Sequence, residues 1–195
     1  MICVSSIALR IALVAFSVIG IGAALISTPA AALSHEEWVV AFVRFIDWPA
    51  PEPDTTLVVC QQPETPALLL DGKLVRGRTT QVRRVSDTRE LDSCHAFVAF
   101  SGDEASWAPW LKRLSQVTDA SKSRVRPILA IGKGSQFCEL GGAICLVKNA
   151  TTGGETYRLN LDALARAGFR VDSQLLRSSP APATKAGQTL REPAP

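Results

Sequence analysis

The sequence predicts a single compact α/β domain in which helices flank a mixed, mostly parallel sheet, with a β-hairpin near the C-terminus and disulfide cross-links. Short apolar segments of strand length alternate with segments of helical periodicity, which is typical of this class. A glycine pair separates two later strand-like segments, as in a hairpin. The length of 195 residues and the hydrophobic content of 47% fit one domain and exclude a wholly disordered chain.

The N-terminal segment is typical of an export signal. Residues 11–33 carry no charge and follow a single basic residue, Arg10. The segment ends in Ala30-Ala31-Ala32, a small-residue pattern typical of signal-peptide cleavage sites. We therefore expect residues 1–32 to be a signal peptide and the mature chain to act outside the cytoplasm. An uncleaved membrane anchor is the alternative, because 23 uncharged residues can span a bilayer.

The composition of the mature chain favours a binding protein. After removal of residues 1–32 the net charge is 20 − 18 = +2, which is too small and too evenly spread to indicate a nucleic-acid partner. The chain has two histidines and no Cys/His cluster, so we expect no metal site. We find no Ser/His/Asp set and no carboxylate pair in the sequence, and so we expect neither catalysis nor a cofactor.

Four cysteines remain in the mature chain: Cys60, Cys94, Cys138 and Cys145. An even number outside the cytoplasm favours disulfides, and the C-x-x-C motif of thiol oxidoreductases is missing from the sequence. Of the three possible pairings we favour Cys60–Cys94 and Cys138–Cys145, because two glycines inside the second loop permit a tight reversal. Chain entropy predicts that the disulfide closing the longer loop stabilises the fold by about 3.8 kcal/mol and the one closing the shorter loop by about 2.5 kcal/mol.

The first helix of the mature chain is predicted by its cap. Ser34 and Glu37 fit a capping box, and apolar residues follow at helical spacing as far as Ile46. Pro49 ends the helix, because proline disfavours helical geometry at the residue before it. Residues 51–53 contain two prolines and predict an extended linker.

The later elements follow from apolar runs, caps and glycines. Strands are expected at residues 55–60, 79–85, 95–100, 127–131, 143–147 and 156–159, and helical segments at 65–70, 86–91, 109–117, 161–167 and 172–178. Ser101 and Glu104 resemble a second capping box, but we expect the helix body to start near Pro109, since proline is tolerated only in a first turn. Asn160 is the expected cap of the helix at 161–167. Residues 179–195 lack periodicity and predict a disordered tail.

Several side chains are candidates for contact with a partner or a ligand. Trp48, Trp107 and Trp110 are candidates because tryptophan is enriched at interfaces, although Trp48 could instead cover the edge of the core. Arg78 belongs to a basic stretch with Arg76, Arg83 and Arg84, which predicts either a recognition patch or a solvated strand face. Residues 132–135 form a Gly-rich loop without the spacing of a phosphate loop, but at a strand end where a small ligand could bind.

An ordered set of short motifs extends from about Glu36 to Ser178. The motifs are Phe42-x-x-Phe45-x-x-Trp48-Pro49, Gly77-Arg78, Cys94-His95, Phe137-Cys138-x-x-Gly141-Gly142, Tyr157-Arg158-Leu159-Asn160 and Ala167-Gly168-Phe169-x-x-x-Ser173-x-Leu175-Leu176. The set as a whole, rather than any one motif, resembles the YfiR family of periplasmic regulators. On this resemblance, residues 34–178 form the YfiR-like domain.

The resemblance implies a soluble periplasmic protein that can form a homodimer. It implies that the protein inhibits a membrane-bound diguanylate cyclase, and hence cyclic di-GMP signalling and biofilm formation, by binding the periplasmic sensor domain of that enzyme. Redox or envelope signals would act through the cysteines and release the cyclase. By motif position, Cys138 and Cys145 are expected to matter most for folding, and Cys60 and Cys94 form the second pair. The family is also associated with small ligands.

A function of a different class stays open. The chain could be a periplasmic small-molecule-binding accessory protein that serves a sensor kinase or an outer-membrane receptor. A neighbouring gene for a membrane cyclase would favour the first hypothesis, and one for a kinase or receptor the second.

Overall fold

The computed structural model describes residues 33–49, 55–118 and 126–178. The predicted signal peptide at 1–32, the predicted linker at 51–53 and the predicted tail at 179–195 lie outside these described residues. In the part of the chain that is described, no helix has the length and apolarity needed to cross a membrane.

Short strands and helices alternate along the described chain. The strands are β1 (Ile46–Asp47), β2 (Thr56–Gln61), β3 (Leu74–Val75), β4 (Arg78–Arg84), β5 (Ala96–Ala99), β6 (Leu129–Lys133), β7 (Ile144–Lys148), β8 (Glu155–Leu159) and β9 (Arg170–Val171). The helices are α1 (His35–Phe45), α2 (Glu104–Thr118), α3 (Ser135–Glu139), α4 (Leu161–Arg166) and α5 (Ser173–Ser178), and a 3₁₀ helix spans Thr88–Ser93.

A seven-stranded sheet in the order β3-β4-β2-β5-β6-β7-β8 forms the centre of the domain. The five inner strands are parallel, whereas β3 and β8 pair antiparallel at the edges. This confirms the predicted mixed, mostly parallel sheet, with β7 and β8 as its C-terminal hairpin. The inner strands have a doubly wound order, and the chain changes direction across the sheet between β2 and β5.

The strand register divides the buried side chains between two faces of the sheet. Phe97 stacks on Trp110 of α2 at 5.2 Å between ring centroids, so this side is called the α2–α3 face. On the other side, Tyr157 of β8 contacts Phe42 of α1 at 5.3 Å, so this side is called the α1 face. The small sheet of β1 and β9 joins the end of α1 to the segment before α5.

The α1 helix begins where its cap predicts. The Ser34 hydroxyl accepts a hydrogen bond from the Glu37 backbone N–H, and the Glu37 carboxylate accepts one from the Ser34 N–H at 2.7 Å. The helix buries Val39, Phe42 and Val43 against the sheet. Because both signals are local in sequence, this prediction is confirmed.

The predicted start of the second long helix is wrong. Helix α2 begins at Glu104, one turn and a half before Pro109, which lies inside the helix. The cap is a reciprocal pair in which Asp103 accepts from the Ser106 N–H and the Ser106 hydroxyl accepts from the Asp103 N–H, at 3.0 and 2.9 Å. This pair satisfies two backbone donors and fixes the start ahead of the proline.

The predicted helix at residues 65–70 is also wrong, because the segment is irregular. The buried side chain of Gln61, at the end of β2, donates to the carbonyls of Thr65 and Pro66 and accepts from the Leu68 N–H. The Thr65 hydroxyl accepts from the Phe100 N–H after β5 at 3.0 Å. These bonds occupy backbone groups that a helix would use, and they cover the carboxyl ends of β2 and β5.

Asn160 caps α4 as predicted and also ties it to α3. Its side-chain oxygen accepts from the Ala163 N–H at 3.0 Å, and its amide nitrogen donates to the Cys138 carbonyl at 2.8 Å. We expect Asn160→Ala to lower the free energy of unfolding by about 2 kcal/mol, because both bonds are lost. Urea unfolding measures this loss, and Asn160→Ser, which keeps a capping oxygen, is the control. Equal losses for the two variants would contradict the role of the cap.

Candidate functional site

The first disulfide, Cys60–Cys94, lies in the core between neighbouring strands. It joins β2 to the residue that ends the 3₁₀ helix before β5, with Cα atoms 5.8 Å apart. Cys60 is 0% exposed and Cys94 is 1% exposed. The predicted pair is therefore confirmed, and its sulfurs are closed to solvent.

The second disulfide, Cys138–Cys145, anchors α3 to β7, again as predicted. The Cα atoms are 5.9 Å apart, and seven positions separate the cysteines in sequence. Cys145 is fully buried, but Cys138 is partly exposed on α3. Because α3 has five residues and a helix of that length is unstable alone, its position depends on this bond and on packing.

The inner side of α3 is formed by Phe137. Its ring is fully buried and contacts Trp107 of α2 edge to face, at 5.7 Å between centroids. A Cβ atom on Gly132 of β6 or on Gly142 before β7 would overlap this ring. On the side of Gly132 the Gly-rich loop therefore packs against Phe137. Its other residues, Lys133, Gly134 and Ser135, line a cavity of about 730 Å³, and binding of a small ligand there stays a prediction.

The outer side of α3 forms a small concave surface beside the partly exposed residue Cys138. A cavity of about 320 Å³ lies beside α3. Its lining includes Ser135, Cys138 and Glu139 of α3, Arg158 of β8 and Leu161 of α4. We call these five residues the α3 surface. Leu161 is 54% exposed, so the surface combines an apolar contact, charges of both signs and a disulfide sulfur. A thiolate can approach the Cys138 sulfur here more readily than it can approach Cys60 or Cys94.

The three predicted tryptophans pack inside the domain. Trp48, Trp107 and Trp110 are 6%, 5% and 8% exposed. Trp48 contacts Phe169 edge to face, and the Trp107 indole donates to the Ser101 carbonyl at 2.9 Å. All three residues are therefore buried, and a direct contact with a partner stays a prediction for each of them.

The structure does not bring the predicted arginine run together as one patch. Arg76 donates to the Ile46 carbonyl at the end of α1, at 2.8 Å. Arg83 and Arg84 are adjacent in β4, so their side chains point to opposite faces of the sheet. Arg78 is partly exposed at the start of β4, and its contact with a partner or ligand stays a prediction.

Two carboxyl groups with a lowered pKa, Asp87 and Glu90, belong to the capping box of the 3₁₀ helix. Hydrogen bonds from the Arg89 side chain and backbone lower the pKa of Asp87 to about 2. Backbone N–H groups of Asp87 and Ser86 lower the pKa of Glu90 in the same capping box. The described residues contain no group of three or more His, Cys, Asp or Glu side chains that could hold a metal ion.

Sequence reasoning found the cysteines and the Asn160 cap, but it missed the packing of Phe137 and the hydrogen bond from Asn160 to α3. Both residues stand inside the quoted motifs, Phe137 before Cys138 and Asn160 after Leu159, so the signal was present.

Comparison with known proteins supports one assignment. No curated protein sequence matches this chain significantly. The sequence profile of the YfiR/HmsC-like family matches residues 34–179, which includes every described helix and strand. The chain therefore belongs to the YfiR/HmsC-like family.

Proposed function

We propose that this protein is a periplasmic inhibitor of an inner-membrane diguanylate cyclase, that it binds the periplasmic sensor domain of the cyclase, and that redox or envelope signals release it. Membership of the YfiR/HmsC-like family carries this proposal. Family membership, the predicted signal peptide and two disulfides are consistent with a protein that folds and acts in an oxidising compartment. Contact with a partner, rather than turnover of a substrate, is its activity.

The α3 surface is the proposed redox-sensitive part of the inhibitor. Attack of a thiolate on the Cys138 sulfur breaks the Cys138–Cys145 bond, forms a mixed disulfide at Cys138 and leaves Cys145 as the thiolate. A second thiolate of the reductant then attacks the reductant's own sulfur in the mixed disulfide, which releases Cys138 as a thiolate and leaves the reductant oxidised to a disulfide. The five-residue helix α3 loses its covalent anchor, and its geometry changes without loss of the buried Cys60–Cys94 bond. An inhibitor that prefers the inactive state of the cyclase loses this preference when its contact surface changes.

Replacement of both Cys138 and Cys145 by serine is expected to relieve inhibition and to lower the free energy of unfolding by about 2.5 kcal/mol. The stability loss follows from chain entropy, and the loss of inhibition follows from release of α3. Urea unfolding of the purified variant and cyclic di-GMP levels in cells measure the two effects.

The matched control is Val39→Ala on the α1 face, which removes buried apolar contacts and costs a similar ~2 kcal/mol. It should keep inhibition if the α3 surface matters locally. Equal loss of inhibition in both variants would mean that stability alone explains the effect.

The partner is tested by recovery from membranes. Deletion of the gene should raise cyclic di-GMP and surface attachment, and the tagged full chain should capture a membrane cyclase. Capture of a sensor kinase or an outer-membrane receptor, with unchanged cyclic di-GMP, would instead favour the accessory-protein alternative. The predicted homodimer is tested by sedimentation of the same purified protein.

A further inference from the structure

A separate cavity lies on the α2–α3 face, at the end of the sheet where β6 and β7 begin. Its volume is about 500 Å³, within the range of small-molecule sites. Helix α2 forms one wall through residues one turn apart, including Ala108 and Leu111, and α4 forms the other wall through Ala163 and Ala167. We call this space the α2–α4 cavity.

Small side chains create the space. The floor is formed by Ala130 of β6 and Ala143 before β7, which are both buried, and Ile128 extends it at the end of the sheet. Alanine reaches only to Cβ, so the two helices remain apart above the floor. The lining is mainly aliphatic, which suits a ligand with an apolar body.

Two cations stand on opposite walls of the α2–α4 cavity, Lys112 on α2 and Arg166 on α4. Within the described residues, neither cation forms an ion pair, and no acidic side chain lines the cavity. An apolar space between two unpaired cations is complementary to a molecule that is apolar with one anionic group.

The position of the cavity differs from that of ligands in other doubly wound sheets. Those ligands bind at the carboxyl ends of the strands, where the direction of the chain reverses. In this chain Gln61 and Thr65 cover the carboxyl ends of β2 and β5 through hydrogen bonds to the irregular segment at 65–68 and to Phe100. The open concave space of the α2–α4 cavity is at the amino ends of β6 and β7.

We propose that the α2–α4 cavity binds a soluble anionic amphiphile, a single apolar chain or ring that carries one carboxylate. The apolar part lies on the alanine floor, and the carboxylate binds Lys112 and Arg166. This site goes beyond the proposed inhibition of a cyclase, because it needs no partner protein. Its failure in the test below leaves the cyclase hypothesis intact, since the test contains no cyclase.

The test is nuclear magnetic resonance of the full-length purified protein labelled at alanine methyl groups, with decanoate as the probe. We expect decanoate to shift, in a saturable way, the methyl signals of the lining residues Ala108, Ala130, Ala143, Ala163 and Ala167. Decylammonium has the same chain and the opposite charge, and it should leave these signals unshifted at the same concentration.

The charge requirement is tested with a pair of double variants. Lys112→Gln/Arg166→Gln should weaken decanoate binding by about tenfold, because both attractive charges are lost. Lys148→Gln/Arg177→Gln removes the same charge outside this cavity and should bind decanoate as the unmodified protein does. Both pairs lie at helix or strand surfaces, and circular dichroism checks that each variant is folded.

Three results would overturn the proposal. The first is the lack of saturable alanine shifts with decanoate, and the second is an equal response to decylammonium. The third is the same set of shifts on raising the protein concentration without probe, which would assign the cavity to contact with a second copy of the chain.

Vesicles of phosphatidylglycerol should leave the alanine signals unchanged, and shifts with vesicles but not with decanoate would assign the cavity to a membrane surface.

Discussion

Replacement of both Cys60 and Cys94 by alanine is expected to lower the free energy of unfolding by about 4 kcal/mol. The bond closes a loop of 34 positions, and loss of that constraint raises the entropy of the unfolded chain by the equivalent of about 3.8 kcal/mol. Both sulfurs are buried, so their removal also leaves unfilled volume in the core. Urea unfolding monitored by circular dichroism measures the loss against a total stability of about 5–15 kcal/mol.

The Cys138→Ala/Cys145→Ala variant is the matched control, with an expected loss of about 2.5 kcal/mol for its shorter loop. The order of the two losses is informative, because the family resemblance implies that Cys138 and Cys145 matter most for folding. Chain entropy and burial favour the opposite order for this chain. A larger loss for the Cys138–Cys145 pair would show that the packing of α3 outweighs loop length.

Replacement of Phe137 by alanine is expected to lower the free energy of unfolding by about 4 kcal/mol, the range for loss of a fully buried aromatic ring. The space around the ring is defined by Trp107 and by two glycines, Gly132 and Gly142, and none of them can fill it. The opposite change, Gly142→Ala, overfills the same space, because the added Cβ meets the Phe137 ring and carbonyl, and it should cost about 1–3 kcal/mol.

The two effects are linked, so a double variant tests the argument. Phe137→Leu combined with Gly142→Ala should lose less stability than the sum of the two single losses, because the smaller side chain makes room for the methyl group. Gly154→Ala is the matched glycine control, since an added Cβ there meets only the Thr152 hydroxyl at 3.5 Å. Additive losses in the double variant would contradict the close contact.

Much of the fold could be predicted because its signals are local. The cap of α1 at Ser34, the cap of α4 at Asn160 and the glycines between β7 and β8 each depend on residues within a few positions of one another. Strands β5 and β6 are short apolar runs whose burial on both sides leaves a continuous hydrophobic pattern. Their bounds shift by one or two residues from the predictions, as strand ends usually do.

The wrong or missing predictions are those in which the local structure depends on contacts that the apolar pattern of the sequence does not reveal. At residues 65–70 the side chain of Gln61 takes the backbone groups that the predicted helix needs. The two-residue strands β1, β3 and β9 have no apolar run and form only because a partner strand lies beside them. At α2 the reciprocal cap of Asp103 and Ser106, which is a weaker sequence signal than proline, sets the start of the helix ahead of Pro109.

The candidate site was predicted only in part for the same reason. An even number of cysteines and the spacing of Cys138 and Cys145 predict the bonds. The cavity for Phe137 requires Gly132 and Gly142, which come together only when β6 and β7 pair. Tryptophan has a large apolar ring, so enrichment at interfaces and burial in a core give the same sequence signal, and Trp107 lies in the core.

Both sulfur bridges lie on one side of the sheet. Cys60 and Cys145 share a face with Phe97 and Gly132, whereas the described residues of the opposite layer are held by apolar packing and hydrogen bonds such as that from the Tyr157 hydroxyl to the Leu175 carbonyl. A mild reductant should therefore increase amide hydrogen exchange in α3 well before it does so in α1. Reductants can therefore loosen one layer of the domain selectively, whereas the stability of the other layer depends on packing and hydrogen bonds, which heat and denaturant disrupt.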